Sequence, residues 1–186
     1  NLKKQEGGEV PKRTLVTFPS KKLKEFSKNV DFPLSEEDVA LIKDLKDTCV
    51  VEGGVGISAP QVGIQKRIFL AAHDGDLKVF INPTITSTSD DDILKDKEGC
   101  LSFPGFFPKI KRFNHVCIRY QNEEGIDLID SFEGFTSRIV QHEIDHLDGV
   151  LMIDRMNRLD KEKFLRKRAR QHKKIKKMFS QMMKSA

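Results

Sequence analysis

The chain has 186 residues, 38% of them apolar and 33% charged, enough for one domain with its own core and too short for two. No apolar run approaches bilayer length and no signal-peptide pattern opens the chain, so a membrane partner is not expected. The formal net charge of +5 is uneven: residues 161–186 carry eleven Lys or Arg and one Glu, which leaves 1–160 at −5, so the basic character belongs to the tail and does not make the body a binder of specific DNA.

The first residue is Asn1, which leaves room for a removed targeting peptide and an organelle matrix; otherwise a bacterial-type cytoplasm is expected. Cys49, Cys100 and Cys117 are too few and odd in number for a disulfide framework, which points to a reducing compartment. Cys49 and Cys117 read as small core residues. Cys100 lies among glycine and proline turn signals.

Residues 1–12 are polar and read as a flexible lead-in. Leu15, Val16 and Phe18 form a short apolar piece stopped by Pro19. Ser35 followed by Glu36, Glu37 and Asp38 predicts a helix start. That helix is expected to bury Val39, Ile42, Leu45 and Cys49 and to stop before Gly53. The stretch from Gly53 to Gly63 is too rich in glycine for a regular element. It lacks the spacing of a nucleotide loop, and on its own it reads as a tight turn.

Arg67 to Ala72 and Leu77 to Ile81 predict two strands around a turn at His73–Asp76. Asn82-Pro83 is expected to break the run before a further strand at Thr84–Thr88, and Ser89–Asp92 to form an acidic loop. Lys109 to Tyr120 alternates as one strand with Val116, Ile118 and Tyr120 on one face. Ile126 to Phe135 is again extended. Ser137 to Met152 then predicts a buried helix.

On that helix His142 and His146 stand four residues apart and share a face. Two neutral imidazoles so placed can bind one divalent metal ion, with Glu143 beside them as general base. The alternative is that both histidines merely hydrogen-bond inside the core. A catalytic metal also needs a third protein ligand and an open position. Cys100, His73, His115, His172 and many carboxylates are candidates, and the turn setting of Cys100 favours it.

Three segments resemble, in order, the signature motifs of the peptide deformylases: Gly54-Val55-Gly56-Ile57-Ser58-Ala59-Pro60-Gln61, Glu98-Gly99-Cys100-Leu101-Ser102, and Gln141-His142-Glu143-Ile144-Asp145-His146-Leu147-Asp148-Gly149. The similarity runs from about Thr14 to about Arg155. It implies a hydrolase that removes the formyl group from N-formyl-methionine on nascent chains. Cys100, His142 and His146 would bind the metal, usually Fe²⁺ in this family, with Zn²⁺, Ni²⁺ or Co²⁺ as substitutes. Glu143 would move the proton, while the Gln61 amide and the Leu101 backbone N–H would form an oxyanion hole. The peptide would lie along Val55, Gly56 and Ile57 with Gly99 nearby, as an added strand.

Ser58 departs from the family's usual alanine, a change expected to affect packing only. Phe107 departs from a common arginine near the substrate backbone. Arg112 matches a common family arginine, and two readings stand for it: a pair with Glu98 or a solvated charge at a strand end. A zinc peptidase would share H-E-x-x-H but gives Cys100 and Gln61 no role. An RNA-associated module would account for the tail alone.

The fold class expected is α+β: a single domain of antiparallel sheets around a central metal-binding helix, at 13–160, followed by a basic C-terminal helix at 161–186. An apolar stripe of Ile175, Met178, Phe179, Met182 and Met183 supports the helix. Some family members resemble this chain in having a basic C-terminal helix that docks on the ribosome near the exit tunnel, which makes the ribosome an expected partner.

Overall fold

The computed structural model describes residues 13–183, apart from the side chains of Phe179 and Met182. The lead-in expected at 1–12 lies outside the described residues. The chain divides between Met152 and Ile153 into two compact units.

In the first unit, α1 spans Glu36–Val51. The Ser35 hydroxyl accepts from the Asp38 N–H and the Asp38 carboxylate accepts from the Ser35 N–H, a reciprocal cap that satisfies two free donors. The helix buries Asp38, Leu41, Ile42, Leu45, Thr48 and Cys49. Val39, expected to face inward, is 55% exposed. It falls about 100° around the helix from Asp38, off the buried stripe, and Leu41 takes the inward place.

Five strands form one antiparallel sheet in the order β1 (Gly56–Ser58), β2 (Ile68–His73), β3 (Asp76–Thr88), β6 (His115–Gln121) and β7 (Asp127–Glu133). A second sheet pairs β4 (Ile93–Lys97) with β5 (Lys109–Phe113). Alternation along β2 links the two cores. Phe69 and Ala71 pack with Ile139, Val140, Ile144 and Leu147, while Ile68 and Leu70 pack with Leu41, Leu45 and Cys49. The large sheet therefore lies between α1 and α2 (Gly134–Leu147), with every residue of β2 up to Ala71 buried.

Several expected boundaries move. The glycine-rich stretch contains β1, because backbone pairing with β2 at Gly56–Ala71 and Ser58–Phe69 outweighs glycine's weak strand preference. Asn82-Pro83 does not break β3. Proline's missing N–H is absorbed where the register shifts between Ile81 and Thr84. The Asn82 side chain there exchanges bonds of 2.8 Å with both the N–H and the C=O of Val30. The single strand expected at Lys109–Tyr120 is two strands in different sheets, divided at Asn114. That residue bonds the Asp92 carbonyl and carboxylate and accepts from the Gly134 N–H. Strand β4, unforeseen, exposes all five side chains and so carries no alternation to read. Cys117 is only half-buried, on the sheet face opposite Val116 and Ile118, so it is not a core residue.

α2 starts and ends earlier than expected. Gly149 stops it with φ 69°, and the Val150 N–H closes on the Asp145 carbonyl. A Cβ at Gly149 would lie 2.5 Å from the Lys24 carbonyl oxygen, so a side chain does not fit there.

In the second unit, α3 spans Arg158–Met182. Asn157 caps it by accepting from the Asp160 N–H at 3.0 Å. Ile175 and Met178 are about half-exposed and Met183 is exposed. No helix among the described residues is long and apolar enough to cross a membrane.

Candidate active site

Helix α2 carries the H-E-x-x-H motif on a segment buried from Ser137 to Leu147. Its start is pinned to the β5–β6 junction. Ser137 Oγ and Gln141 Nε2 both donate to the Phe113 carbonyl, and the Phe113 N–H donates to Gln141 Oε1. The rings of His142 and His146 sit 4.8 Å apart at 81°. Cys100 Sγ comes within 3.2 Å of His146 Nε2. The ligand-capable atoms of Cys100, His142 and His146 all lie within 4.8 Å of one another. One thiol and two imidazoles gathered this closely suit a single divalent ion. Of the other candidate histidines, His73 packs on Phe132 and His115 lies between Asp92 and Glu133.

A buried ionic network stands behind the histidines. Glu98 Oε1 lies 2.7 Å from His142 Nδ1, which leaves Nε2 for a metal. Arg112 holds the Glu98 carboxylate through two bonds of 3.0 and 2.7 Å and reaches Asp145 at 2.5 Å. Burial alone would push the Glu98 carboxyl up, but the bonds from His142 and Arg112 outweigh it and hold the group well below the usual carboxylate range. Arg138, which the sequence reading did not single out, donates to Glu98 Oε2 and to the carbonyls of Ile110 and Leu94. It thereby ties α2 to both strands of the small sheet. His146 is held well below its ordinary value by burial and then by His142, whereas at His142 burial is outweighed by Cys100 and Glu98, which raise it well above its own, so the two rings share one positive charge that a metal ion would displace.

Glu143 sits between the two histidines in sequence, and burial pushes its carboxyl up to about 7. Its Oε2 has no hydrogen-bond partner. β1 passes so close that a Cβ on Gly56 would fall 2.7 Å from Glu143 Oε1. Any side chain there would push the Glu143 carboxylate or Ile139 aside.

Gln61 lies in a short turn of 3₁₀ helix after β1. Its Oε1 accepts from the N–H and the hydroxyl of Ser58 at 2.9 and 3.0 Å. Its Nε2 is thereby turned toward Cys100 Sγ and Ser102 Oγ, at 3.5 and 3.4 Å. The apolar piece at Leu15–Phe18 has a role that no pattern announced. The Val16 N–H donates to the Gln61 carbonyl, the Phe18 N–H donates to the Ser102 carbonyl, and Phe18 stacks on Phe103. One segment thus fastens both the glutamine turn and the cysteine loop.

These groups face one pocket of about 490 Å³. Gly56, Gln61, Gly99, Cys100, Leu101, His142 and Glu143 line it, with Val55, Phe107 and Phe135 exposed around it. Among the residues expected to meet a peptide, Ile57 instead turns its side chain into the core. His146 is 1% exposed and closes the site from behind.

Residues 12–162 match the family model described as polypeptide deformylase. The peptide deformylase of Pseudothermotoga lettingae is 45% identical over 132 residues, covering 71% of this chain and 75% of that protein. That of Phenylobacterium zucineum is 36% identical over 160 residues, covering 83% and 94%. Among solved structures, the peptide deformylase of Thermotoga maritima superposes with a TM-score of 0.75 at 35% identity, covering 79% of this chain and 99% of that one. A class I type b peptide deformylase from Acinetobacter baumannii, bound to Met-Ala-Ser, gives 0.76 at 30% identity, covering 80% and 100%.

Proposed function

The chain belongs to the peptide deformylase family, and from that premise we propose how its pocket carries out the reaction. The protein is a metal-dependent hydrolase that removes the formyl group from the N-terminus of newly made proteins. Water adds across the formyl C–N bond, giving formate and a free α-amine. The observation that carries the assignment of roles is the meeting, in one pocket, of the Cys100–His142–His146 cluster, the partnerless oxygen of Glu143 and the amide of Gln61.

Cys100, His142 and His146 would hold the ion, which supplies Lewis acidity and makes water a competent nucleophile near neutral pH. Fe²⁺ is our assignment in the cell, on the family resemblance; the donor set also accepts Zn²⁺, Ni²⁺ and Co²⁺. Glu143 takes the proton from the attacking water and delivers it to the departing amine. Burial, which disfavours the charged carboxylate, readies Glu143 to hold the proton between those two transfers. The Gln61 Nε2–H and the Leu101 N–H donate to the formyl oxygen as it becomes negative, without adding a competing charge.

β1 is the edge strand of its sheet, and Val55 beside it is exposed to the pocket. A peptide main chain can therefore extend the sheet along Val55, Gly56 and Ile57, with Gly99 opposite. The Acinetobacter enzyme's bound Met-Ala-Ser supports a short peptide as the class of ligand. Release of formate from a formyl-Met tripeptide, without cleavage of its internal bonds, tests the activity. Internal cleavage without formate would favour a peptidase.

The proposal includes a catalytic domain at 13–160, a basic tail at 161–186, a cytoplasmic place of work and a ribosomal partner for the tail. Eleven basic residues against two acidic ones, on a helix (Arg158–Met182) whose described side chains are mostly exposed, suit a polyanion surface. Deleting 161–186 should spare hydrolysis of short peptides and weaken salt-sensitive ribosome binding. Equal ribosome affinity of truncated and intact proteins at low salt would refute the tail's role.

A further inference from the structure

We infer that Ser58 is a positioning residue for the oxyanion donor: its buried hydroxyl holds the Gln61 side-chain carbonyl and so fixes which end of the amide faces the reacting formyl group. The inference rests on the role given to Gln61 above.

Ser58 is fully buried at the end of β1. Its N–H and its Oγ converge on Gln61 Oε1 at 2.9 and 3.0 Å. A glutamine amide turned by 180° keeps its shape but exchanges donor for acceptor. For an oxyanion donor that reversal is costly, because it sets a carbonyl oxygen where negative charge develops. The reversed amide would set its NH₂ against the Ser58 N–H, which can only donate, and would keep the hydroxyl only if that group turned to accept and gave up its own bond to Oε1. The backbone N–H would be present whatever residue stood at 58. The hydroxyl is what serine adds, and alanine, the residue usual in the family's motif, lacks it. Packing alone, the role the sequence suggested for this departure, does not account for a buried hydroxyl with a defined acceptor.

The same hydroxyl also borders the Glu143 carboxylate. It has one proton to donate and two acceptors in reach, Gln61 Oε1 at 3.0 Å and the Glu143 carboxylate, and the test below separates the two. Through one side chain the β1 turn thus ties the oxyanion donor to the element that packs against the base.

The test compares Ser58→Ala in wild-type and Gln61→Ala proteins at matched metal content, using a formyl-Met tripeptide. In the wild-type background kcat should fall by about threefold to tenfold with KM within about twofold, the size of one neutral hydrogen bond. In the Gln61→Ala background the same change should alter kcat by less than about twofold. A second readout needs no turnover. In Zn²⁺-loaded, ¹⁵N-labelled protein, the Gln61 NH₂ resonances, assigned by their loss in Gln61→Ala, should be one sharp pair that broadens or splits in Ser58→Ala. Unchanged resonances, or equal losses in both backgrounds, would overturn the role; an equal loss would move the hydroxyl's service to Glu143. If the wild type released no formate while the resonances still responded, the assigned activity would fail and the positioning would stand.

Discussion

His142 Nδ1 and Glu98 Oε1 meet at 2.7 Å, joining a helix residue to a loop residue forty-four positions earlier. The contact selects the imidazole tautomer that presents Nε2 to a metal, and Arg112 and Arg138 keep the carboxylate in place. Glu98→Gln should therefore lower metal affinity by about 10- to 100-fold. Competition against a chelator measures it, and wild-type affinity in the variant would remove Glu98 from any role at the site.

Cys100→Ala should lose the ion. Two imidazoles remain, and the third donor sits 3.2 Å from His146 Nε2, too close to be replaced from another part of the pocket without rearrangement. Metal content after dialysis checks this; one ion per chain in the variant would rule the thiol out as a ligand.

Gly56→Ala should reduce kcat by about 100-fold with metal retained. Its Cβ would meet Glu143 Oε1 at 2.7 Å and Ile139 Cγ2 at 2.8 Å, and displacing a base by about 1 Å costs that much. A fully active variant would show that the β1–Glu143 contact is not needed.

Asp38 offers a stability test away from the site. Burial works to raise its carboxyl, but Lys66 and Ser35 outweigh it and hold the group below its ordinary value. A carboxyl depressed by folding stabilises the fold above the unfolded value, about 4, and loses that contribution as pH falls through the folded value. Asp38→Asn should cost about 1 kcal/mol near pH 7, and the difference from wild type should shrink below about pH 4. Denaturant titrations across pH measure it. A gap that stays constant would contradict the ionic cap.

Much of this was legible because periodic burial leaves a periodic trace. The α2 histidines, the α1 cap and the face shared by Val116, Ile118 and Tyr120 follow from spacing. Cys100 was singled out by its turn setting, but the motif resemblance tied it to residues 142 and 146, since spacing does not connect them. The Glu98–Arg112 pair is one of two readings that the residues allow for that arginine, and burial decides for it. Arg138 was not, because its partners are a distant carboxylate and two carbonyls of separate strands. β4 and the break at Asn114 were hidden for a related reason: an exposed strand and a hydrogen-bonded corner bury no pattern. The Ser58–Gln61 contact was within reach, as the two residues are three apart in a turn, but the direction of a hydroxyl is not written in its identity.

The most direct test of the central claim is formate production from a formyl-Met tripeptide by wild type and Glu143→Gln, each carrying one ion per chain. Glu143→Gln keeps the side chain's shape and removes the proton carrier. Its kcat should fall at least about 100-fold with metal content unchanged. Wild-type turnover by fully loaded Glu143→Gln would contradict it.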